Sequence, residues 1–291
     1  MSAEAKTSLF QFTEFWDGRS GISFGVEGLL MSEESEFQRV EVVKTDVFGN
    51  LMLLDGLVML TERDEFVYHE MIAHPALCLH PNPKRVLVIG GGDGGTVREV
   101  VKHGSVEHVD LVEIDGLVVE ASKRHFPTVA SAFDHPKLGL KIEDGLAFVK
   151  NAAPGSYDVI LVDSTDPVGF AEGLFGRAFY EDCVRALGPD GILVSQTESP
   201  FDERFQSQIQ AAHRTLGTLF PHVALYLASI PTYPMGTWSF VMASKTRRPA
   251  EDFDEAEAER RLAPFADGLK YYRAPLHRAA FTLPAFVNRL F

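Results

Sequence analysis

The feature that most constrains the fold is a glycine-rich loop that follows a short apolar run. Val86–Ile89 leads directly into Gly90–Gly95, and a helical pattern follows over residues 95–103. Glycines 90, 92 and 95 match the GxGxxG spacing that carries a strand into a helix past a bound nucleotide or nucleoside. Glu113 ends the next predicted strand, about 20 residues further on, where an acid can hydrogen bond to a ribose diol. Gly90, Gly92 and Glu113 therefore predict a nucleoside site at the edge of a parallel sheet.

The rest of the C-terminal part alternates apolar strand patterns with helical ones. Strand patterns lie near residues 85–89, 107–113, 138–143, 157–163, 190–196, 221–230 and 236–244. Helical patterns separate most of them, for example 95–103, 116–126, 176–187 and 202–219. Such alternation predicts an α/β fold with a mostly parallel sheet covered on both faces. The last two strands lack a helix between them and are expected to form an antiparallel hairpin around Pro234.

The N-terminal part has a different pattern. Residues from about 20 to 62 alternate as strands with turn signals at 48–50 and 55–56, which predicts a small antiparallel sheet. At Thr61 the period becomes helical, and a helix is predicted from about 64 to the break at Pro81. The predicted division is therefore an N-terminal β-domain over 1–63 and a catalytic domain over 64–291.

Composition excludes several classes of protein. The net charge of −14 disfavours nucleic acid and anionic membrane as partners. The apolar runs have the length of strands, and Met1–Phe10 lacks the apolar core of a signal peptide, so we expect a soluble cytoplasmic protein. Cys78 and Cys183 are expected to be reduced core residues, and their spacing predicts no metal site.

Asp93, inside the glycine loop, argues against a dinucleotide. Loop amides at this place normally hold a pyrophosphate, which a carboxylate would repel. An S-adenosyl compound carries a sulfonium and no phosphate, so it fits better. The decarboxylated form of S-adenosylmethionine presents only an ammonium at its far end, and an aspartate can pair with it directly. The alternative is that Asp93 only caps the following helix.

More acids follow other strands that end at the same edge. Asp163 and Asp166 come directly after the strand pattern at 157–162, and Asp144 with Gly145 follows another. Because ligands of open α/β sheets bind beyond the carboxyl ends of the strands, these acids are expected to share one crevice with Asp93 and Glu113. Five carboxylates around one crevice are costly unless cations bind there.

A sulfonium nucleoside and a diamine would supply that positive charge. A primary amine is protonated at neutral pH and has to lose a proton before it attacks carbon. Asp163 is the candidate base, with the phenol of Tyr68 orienting the amine. The expected reaction is an in-line displacement at the carbon next to sulfur, with a neutral thioether as the leaving group.

The motifs together resemble the spermidine synthase (polyamine aminopropyltransferase) family over nearly the whole chain. The resemblance rests on these segments in family order: Leu54–Gly56, Thr61–Phe66, Tyr68–Met71, Gly90–Gly95 with Arg98 and Glu99, Glu113–Asp115, Asp163–Pro167, Ile230–Pro234 and His277–Phe281. It implies an N-terminal β-domain and a Rossmann-like, methyltransferase-type, doubly wound sheet. It also implies decarboxylated S-adenosylmethionine as a co-substrate, 5′-methylthioadenosine as by-product, no separate cofactor, and a homodimer or homotetramer.

The resemblance also assigns roles to residues. Gln38 and Glu113 would hold the ribose, Asp144 and Gly145 the adenine, and Asp93 the aminopropyl ammonium, while Asp163 would be the base. The amine pocket would be lined by Tyr68, His69, Ser164, Thr165, Asp166, Tyr233 and, with weaker support, Gln196. Trp16 is expected to help close the pocket. No metal is implied.

Some points stay open at this stage. Met59 stands where relatives commonly carry Gln, which removes a hydrogen-bonding group near the substrate entrance and leaves the choice of amine open. Phe170 stands where they commonly carry Pro, and it is expected either to pack on the adenine or to alter the loop over the site. Putrescine is the default acceptor, and agmatine, cadaverine, diaminopropane and spermidine are alternatives. Three other functions compete: a small-molecule methyltransferase that uses intact S-adenosylmethionine, a non-catalytic nucleoside-binding module and an NAD-dependent dehydrogenase. Asp93 and the acids at 163 and 166 speak against them.

Overall fold

An antiparallel sheet forms the N-terminal part of the molecule. The structure, a computed structural model, describes residues 10–16, 18–165 and 173–291. The strands of this sheet pair in chain order: β1 (Phe10–Phe15), β2 (Gly21–Glu34), β3 (Arg39–Thr45), β4 (Asn50–Leu54) and β5 (Leu57–Thr61). The sequence predicted strands only from about residue 20 onward, so β1 was missed. Phe12 of β1 packs against the core of the sheet, but the most buried side chain of the strand is the carboxylate of Glu14, so β1 lacks the continuous apolar run that marks β4.

A larger mixed sheet forms the C-terminal part. Its strands are β6 (Arg85–Gly90), β7 (His108–Glu113), β8 (Leu138–Ile142), β9 (Tyr157–Asp163), β10 (Leu187–Gln196), β11 (His222–Ala228) and β12 (Trp238–Ser244). Their spatial order is β11-β12-β10-β9-β6-β7-β8. The pairs from β8 to β10 are parallel, whereas β12 runs antiparallel to both β10 and β11. The predicted hairpin before the C-terminal segment is therefore confirmed, as is the α/β fold class.

Helices cover both faces of this sheet. They are α1 (Glu65–Leu79), α2 (Gly95–Val101), α3 (Gly116–His125), α4 (Gly145–Asn151), α5 (Arg177–Ala186), α6 (Gln206–Gly217), α7 (Glu255–Leu262), α8 (Ala274–Ala280) and α9 (Ala285–Asn288). Val86 and Val88 pack with α1 and α2, while Leu87 and Ile89 pack with α4, α5 and α6. This alternation is what two covered faces require of a parallel strand, so each central strand reads as continuously apolar.

Helix α1 lies between the N-terminal sheet and the glycine loop and is almost entirely buried. Pro75 inside it cannot donate to the carbonyl of Met71, four residues earlier. The hydroxyl of Tyr226 donates to that carbonyl instead, at 2.8 Å. The buried backbone group is thereby satisfied from β11, and a helix with an internal proline persists because the sheet supplies the missing donor. No helix in the described ranges is long and apolar enough to cross a bilayer.

The N-terminal sheet is joined to the catalytic part through α3. Val118 and Ala121 of this helix pack against Val40, Val42 and their neighbours on the sheet. The predicted boundary between residues 63 and 64 falls in the turn between β5 and α1. This packing sets the sheet over the carboxyl ends of the parallel strands.

The strand order reverses direction between β6 and β9. Gly90 at the end of β6 lies opposite Asp163 at the end of β9. The chain leaves these neighbouring strands toward opposite faces of the sheet, which opens a crevice at their carboxyl ends. The glycine loop and the acidic loop therefore face each other across the crevice.

Candidate active site

A cavity of about 440 Å³ occupies this crevice, beneath the N-terminal sheet. Most residues that the sequence singled out line it: Gln38, Tyr68, His69, Gly90, Gly92, Asp93, Glu113, Asp144, Gly145, Asp163, Ser164, Thr165 and Tyr233. Gln196 lines a smaller adjoining cavity of about 60 Å³. Trp16 lines neither. Asp166 and Phe170 lie outside the described residues.

The glycine loop approaches the acids so closely that side chains would not fit. A Cβ on Gly91 would lie 2.6 Å from Oδ2 of Asp163, and the backbone there has a φ of +69°. A Cβ on Gly92 would lie 2.8 Å from Cγ of Glu113. Both distances are shorter than van der Waals contact. These glycines therefore allow two carboxylates to meet one loop backbone.

Glu113 is buried and bound by backbone amides. The N–H of Gly92 donates to Oε2 at 3.1 Å, and the N–H of Asp115 donates to Oε1 at 2.8 Å. Burial raises the pKa of Glu113 to about 7, although these amides oppose the rise. Each carboxylate oxygen has a second lone pair, so the group can still accept hydrogen bonds from a diol.

Gln38 reaches the cavity from the N-terminal sheet and is held by a residue that the sequence prediction did not assign. Its Nε2 donates to Oδ2 of Asp115 at 2.9 Å, and the hydroxyl of Ser35 donates to the same oxygen at 2.8 Å. The other oxygen of Asp115 caps α3 by accepting from the N–H of Leu117. Asp115 thus ties the sheet, the helix and the proposed ribose contact together.

Asp93 presents one carboxylate oxygen to the loop. Its Oδ1 accepts from the N–H of Gly95 at 2.6 Å and lies 3.2 Å from Nε2 of His69. Burial would raise the pKa of Asp93, but His69 and the Gly95 amide lower it below its usual range. Gly95 also has no room for a side chain, because a Cβ there would collide with the His69 ring.

His69 is held on its far side by an ion pair. Its Nδ1 lies 2.6 Å from Oε2 of Glu65, and Arg98 donates to both oxygens of Glu65, at 3.0 and 2.8 Å. Burial would lower the pKa of His69, but Asp93 and Glu65 raise it to about 10. Despite burial, His69 and Arg98 lower the pKa of Glu65 to about 2. The imidazole is therefore a cation at neutral pH, fixed between two carboxylates.

Asp163 is the other buried acid of the cavity. Burial and the charge of Asp93 raise its pKa to about 6, while His69, Thr96 and Tyr68 counter the rise. The hydroxyl of Thr96 donates to Oδ2 of Asp163 at 2.6 Å. Burial, together with the carboxylate of Asp163, raises the pKa of Tyr68 well above its usual range. Tyr68 thus remains a neutral phenol beside a carboxylate that can gain and lose a proton near neutral pH.

The region beyond Tyr68 is bordered by aromatic rings and a backbone carbonyl. The hydroxyl of Tyr233 donates to the carbonyl of Met59 at 2.6 Å, and its ring lies 5.8 Å from that of Tyr68. Asp64, at the start of α1, accepts from the N–H and the hydroxyl of Thr232. These two bonds fix the segment that carries Tyr233 against α1.

Gln196 mainly supports the acidic loop. Its Nε2 donates to the carbonyl of Ser164 at 2.9 Å, and its Oε1 accepts from Trp238 at 3.1 Å. Both functional atoms of the amide are thus engaged within the protein. Asp144, by contrast, is exposed and caps α4 through the N–H of Leu146 at 2.8 Å, while Gly145 is buried beside it.

Sequence reasoning assigned no supporting role to Thr96, Asp115 or the ion-paired Glu65, although Asp115 and Glu65 lie in segments that carry the family resemblance. Each acts through a partner that is distant in sequence, such as Asp163 for Thr96. Arg98 was noted only within a motif. Their local sequence is that of ordinary helix starts, so no periodicity or spacing marks them; the approach of β6 to β9 and of α1 to α2 creates these contacts.

The chemistry available to this cavity follows from its groups. Asp93 is kept ionised beside the cation of His69, and Asp163 has a pKa near neutral pH. Glu113 is a buried acid that contacts the glycine loop at Gly92. The cavity can bind cations and accept one proton at Asp163. Among the described residues, no cluster of three or more histidine, cysteine, aspartate or glutamate side chains could hold a metal ion.

Comparison with protein families gives two matches. Residues 65–255 match the spermine/spermidine synthase domain, and residues 11–62 match the spermidine synthase tetramerisation domain.

Curated proteins of similar sequence extend over almost the whole chain. A polyamine aminopropyltransferase of Alkaliphilus metalliredigens is 47% identical over 277 residues, covering 95% of this chain and 96% of that protein. One of Shouchella clausii is 48% identical over 282 residues, covering 97% and 98%.

Among solved structures, a spermidine synthase in complex with the transition-state analogue AdoDATO superposes with a TM-score of 0.92. It is 39% identical, with 100% of this chain and 98% of that one covered. The spermidine synthase of Thermotoga maritima gives a TM-score of 0.89 at 38% identity, covering 100% and 97%.

Proposed function

The chain belongs to the spermine/spermidine synthase family, and from that membership we propose that it transfers the aminopropyl group of decarboxylated S-adenosylmethionine to putrescine. The products are spermidine and 5′-methylthioadenosine. The family is one of transferases, so the dehydrogenase and the non-catalytic module are set aside. The donor is consumed in the reaction and is therefore a co-substrate, and we propose no separate cofactor.

The observation that carries the proposal is the pair of buried acids, Asp93 and Asp163, in one cavity with the glycine loop. Each is matched to a different task by its surroundings. His69 and the Gly95 amide keep Asp93 ionised, which suits a permanent partner for an ammonium. Burial brings the pKa of Asp163 to about 6, which suits a proton acceptor at neutral pH.

The donor would lie along the glycine loop. Gln38 and Glu113 are suited to the ribose hydroxyls, because one offers an amide and the other a carboxylate at the same end of the cavity. Asp144 and Gly145 line the same cavity, with Asp144 exposed, and they would hold the adenine. The free oxygen of Asp93 would then pair with the aminopropyl ammonium. Intact S-adenosylmethionine would bring a carboxylate toward Asp93, and this repulsion disfavours a methyltransferase.

The chemical step has a simple balance. The attacking ammonium of the diamine gives one proton to the carboxylate of Asp163, which leaves a neutral amine. The nitrogen lone pair forms a bond to the aminopropyl carbon next to sulfur as the carbon–sulfur bond breaks. Its electron pair goes to sulfur, so the sulfonium becomes a neutral thioether. The new secondary amine stays protonated, and the proton on Asp163 passes to solvent.

Holding the two substrates in line is expected to supply most of the acceleration. Well-oriented reactants can save on the order of 7–11 kcal/mol relative to an encounter in solution. Tyr68 is suited to orient the attacking amine, because its neutral phenol borders Asp163. Ser164, Thr165 and Tyr233 line the remaining path for the diamine.

Putrescine remains the proposed acceptor, with agmatine, cadaverine, diaminopropane and spermidine as outcomes of the test. Met59 lines both cavities and offers an apolar side chain where a glutamine would offer an amide. An apolar wall suits the methylene chain of a diamine. Asp166, which would face the far amine, is proposed on sequence alone.

The decisive experiment measures release of 5′-methylthioadenosine by mass spectrometry. Purified protein is mixed with decarboxylated S-adenosylmethionine and each amine in turn. Release that depends on putrescine supports the proposal. Release with a different amine, and not with putrescine, would identify that amine as the acceptor. No release with any amine, together with methyl transfer from intact S-adenosylmethionine, would overturn it.

The role of Asp163 is tested with a matched pair of variants. Asp163→Asn is expected to lower turnover by roughly 100- to 10,000-fold, the usual contribution of a general base. Asp134→Asn makes the same change at an exposed aspartate and should leave turnover unchanged. Retained turnover in Asp163→Asn would assign the base elsewhere.

We also propose that the chain forms a homo-oligomer through its N-terminal sheet. The part that matches a tetramerisation domain exposes large apolar side chains: Phe15, Leu29, Leu30, Val47 and Leu57. Light scattering on the intact protein distinguishes a dimer from a tetramer of 32.2 kDa chains. Leu29→Asp should reduce the mass, whereas Phe291→Asp, at an exposed site in the C-terminal part, should not. A monomer in the unmodified protein would contradict the proposal.

The place of action is proposed to be the cytoplasm. Cys78 and Cys183 are free and buried, as expected of a chain in a reducing compartment.

A further inference from the structure

We infer that Thr96 is a positioning residue whose hydroxyl controls the protonation and orientation of Asp163. The inference rests on the proposed function, in which Asp163 accepts a proton. Thr96 is the second residue of α2, its side chain is completely buried, and it is not part of the cavity wall. It therefore acts on the reaction only through the carboxylate that it contacts.

The geometry fixes one oxygen of Asp163. The Thr96 hydroxyl donates to Oδ2 at 2.6 Å, and the backbone of Gly91 closes the same side so tightly that a Cβ would lie 2.6 Å from Oδ2. The carboxylate is thus held from the side of the loop and α2. The phenol of Tyr68 also hydrogen bonds to this carboxylate, from the cavity side, where the incoming amine would approach.

Several groups act on Asp163, and Thr96 differs from all of them. Burial and the Asp93 carboxylate oppose ionisation, whereas His69 and the phenol of Tyr68 from α1 favour it. Those residues line the cavity, so changing any of them would also change substrate contacts. The Thr96 hydroxyl is uncharged and does not titrate in the working range. Its removal should change the base and leave the substrate contacts as they are.

The expected effect depends on pH. The base must be ionised, so kcat/KM rises with pH through the pKa of Asp163. Loss of the Thr96 donor raises that pKa, so the rise in kcat/KM occurs at higher pH. A hydrogen bond to an ionised group is among the stronger ones, so we expect a move of about one pH unit. Relative to the unmodified enzyme, Thr96→Val would then lose about fivefold at pH 6 and almost nothing at pH 9. Titration of the acceptor amine cancels in this ratio.

The experiment compares pH profiles of four proteins. Thr96→Val removes the donor, while Thr96→Ser keeps it and should restore the profile of the unmodified enzyme. Thr246→Val is the matched control, since Thr246 also donates to an aspartate, Asp190, at 2.9 Å on an exposed surface. Thermal unfolding checks each fold, and Thr96→Ala serves as the donor-free variant if Thr96→Val does not fold. An equal loss at every pH, or no loss at all, would overturn the inference.

A second readout does not depend on turnover. A carbon-13 label at the aspartate side-chain carboxyls reports the titration of Asp163, with its resonance assigned from Asp163→Asn. In Thr96→Val this titration should move to higher pH. Such a move in a protein that releases no 5′-methylthioadenosine would support the inference while the proposed function fails. An unmoved titration in an active enzyme would overturn only the inference.

Discussion

Nε2 of His69 lies 3.2 Å from Oδ1 of Asp93. The histidine shares this oxygen with the N–H of Gly95, so both donors bind one side of the carboxylate. The other oxygen is left for a ligand. A cation beside a substrate-binding aspartate would normally compete with a cationic substrate, and this arrangement avoids competition while it keeps Asp93 ionised. Glu65 and Arg98 complete the support behind the ring.

The first prediction concerns that support. Glu65→Gln removes a buried negative charge and leaves the cations of His69 and Arg98 facing a neutral amide. Breaking a buried ion pair on one side costs about 3–5 kcal/mol, so the free energy of unfolding should fall by about that amount. Urea unfolding measures it.

The matched control is Glu181→Gln, which breaks the exposed pair between Arg177 and Glu181. Exposed pairs contribute about 0–1 kcal/mol, so this variant should unfold almost like the unmodified protein. Equal losses in the two variants would show that the Glu65 pair contributes no more than a surface one.

The second prediction is the pH dependence of stability. The pKa of Glu65 is about 2 in the folded protein against an ordinary 4.5, so its contribution is present above 4.5 and is lost as pH falls toward 2. The pKa of His69 is about 10 against 6.5, so its contribution is present below 6.5 and is lost as pH rises toward 10.

Taken by themselves, these two contributions would leave stability level between about pH 5 and 6.5. Burial raises the pKa of Asp163 to about 6 and that of Glu113 to about 7, so these two acids add a fall in stability as pH rises from about 4 to 7. Urea unfolding at a series of pH values measures this profile. In Glu65→Gln the free energy of unfolding should depend less on pH below about 4.5. In His69→Gln it should depend less on pH above about 6.5. A slope that neither variant changes would assign the pH dependence to other groups.

The sequence sufficed for the positions of the parallel strands along the chain and for most of the cavity wall. The reason is that the carboxyl ends of parallel strands must meet at one edge, so residues such as Asp93, Glu113 and Asp163 could be placed together without coordinates. Helix α1 was predicted over 64–80 and spans Glu65–Leu79. These features depend on local periodicity and on a general rule of topology.

What the sequence could not give is the support behind those residues. Thr96, Asp115 and Glu65 contact partners 67, 77 and 33 residues away, for Asp163, Gln38 and Arg98 respectively. Such contacts follow from how elements pack, and a threonine or an acid at a helix start has an ordinary local explanation. Likewise, the engagement of Gln196 with the acidic loop was not evident from its place at a strand end.

The third prediction concerns the glycine loop. Gly92→Ala places a Cβ 2.8 Å from Cγ of Glu113, so the acid or the loop has to move. The affinity for 5′-methylthioadenosine should fall at least about tenfold, because a displacement of this size costs more than 1.4 kcal/mol of binding free energy. Isothermal titration calorimetry measures it. Gly104→Ala is the control, since a Cβ there meets nothing within 4 Å. Unchanged affinity in Gly92→Ala would show that Glu113 does not contribute to nucleoside binding.

The last prediction separates the two acids by ligand. 5′-Methylthioadenosine lacks the aminopropyl group, so an acid that binds only the ammonium should not affect its affinity. Asp93→Asn should therefore weaken binding of decarboxylated S-adenosylmethionine by roughly 10- to 100-fold, the range for a lost hydrogen bond between charged groups, while binding of 5′-methylthioadenosine changes little. Asp163→Asn should bind both nucleosides and fail in turnover. Calorimetry with each nucleoside, followed by the release assay, gives the four comparisons. Equal weakening of both nucleosides in Asp93→Asn would mean that Asp93 shapes the loop and does not bind the ammonium, because the aminopropyl group is the part that differs between the donor and its by-product.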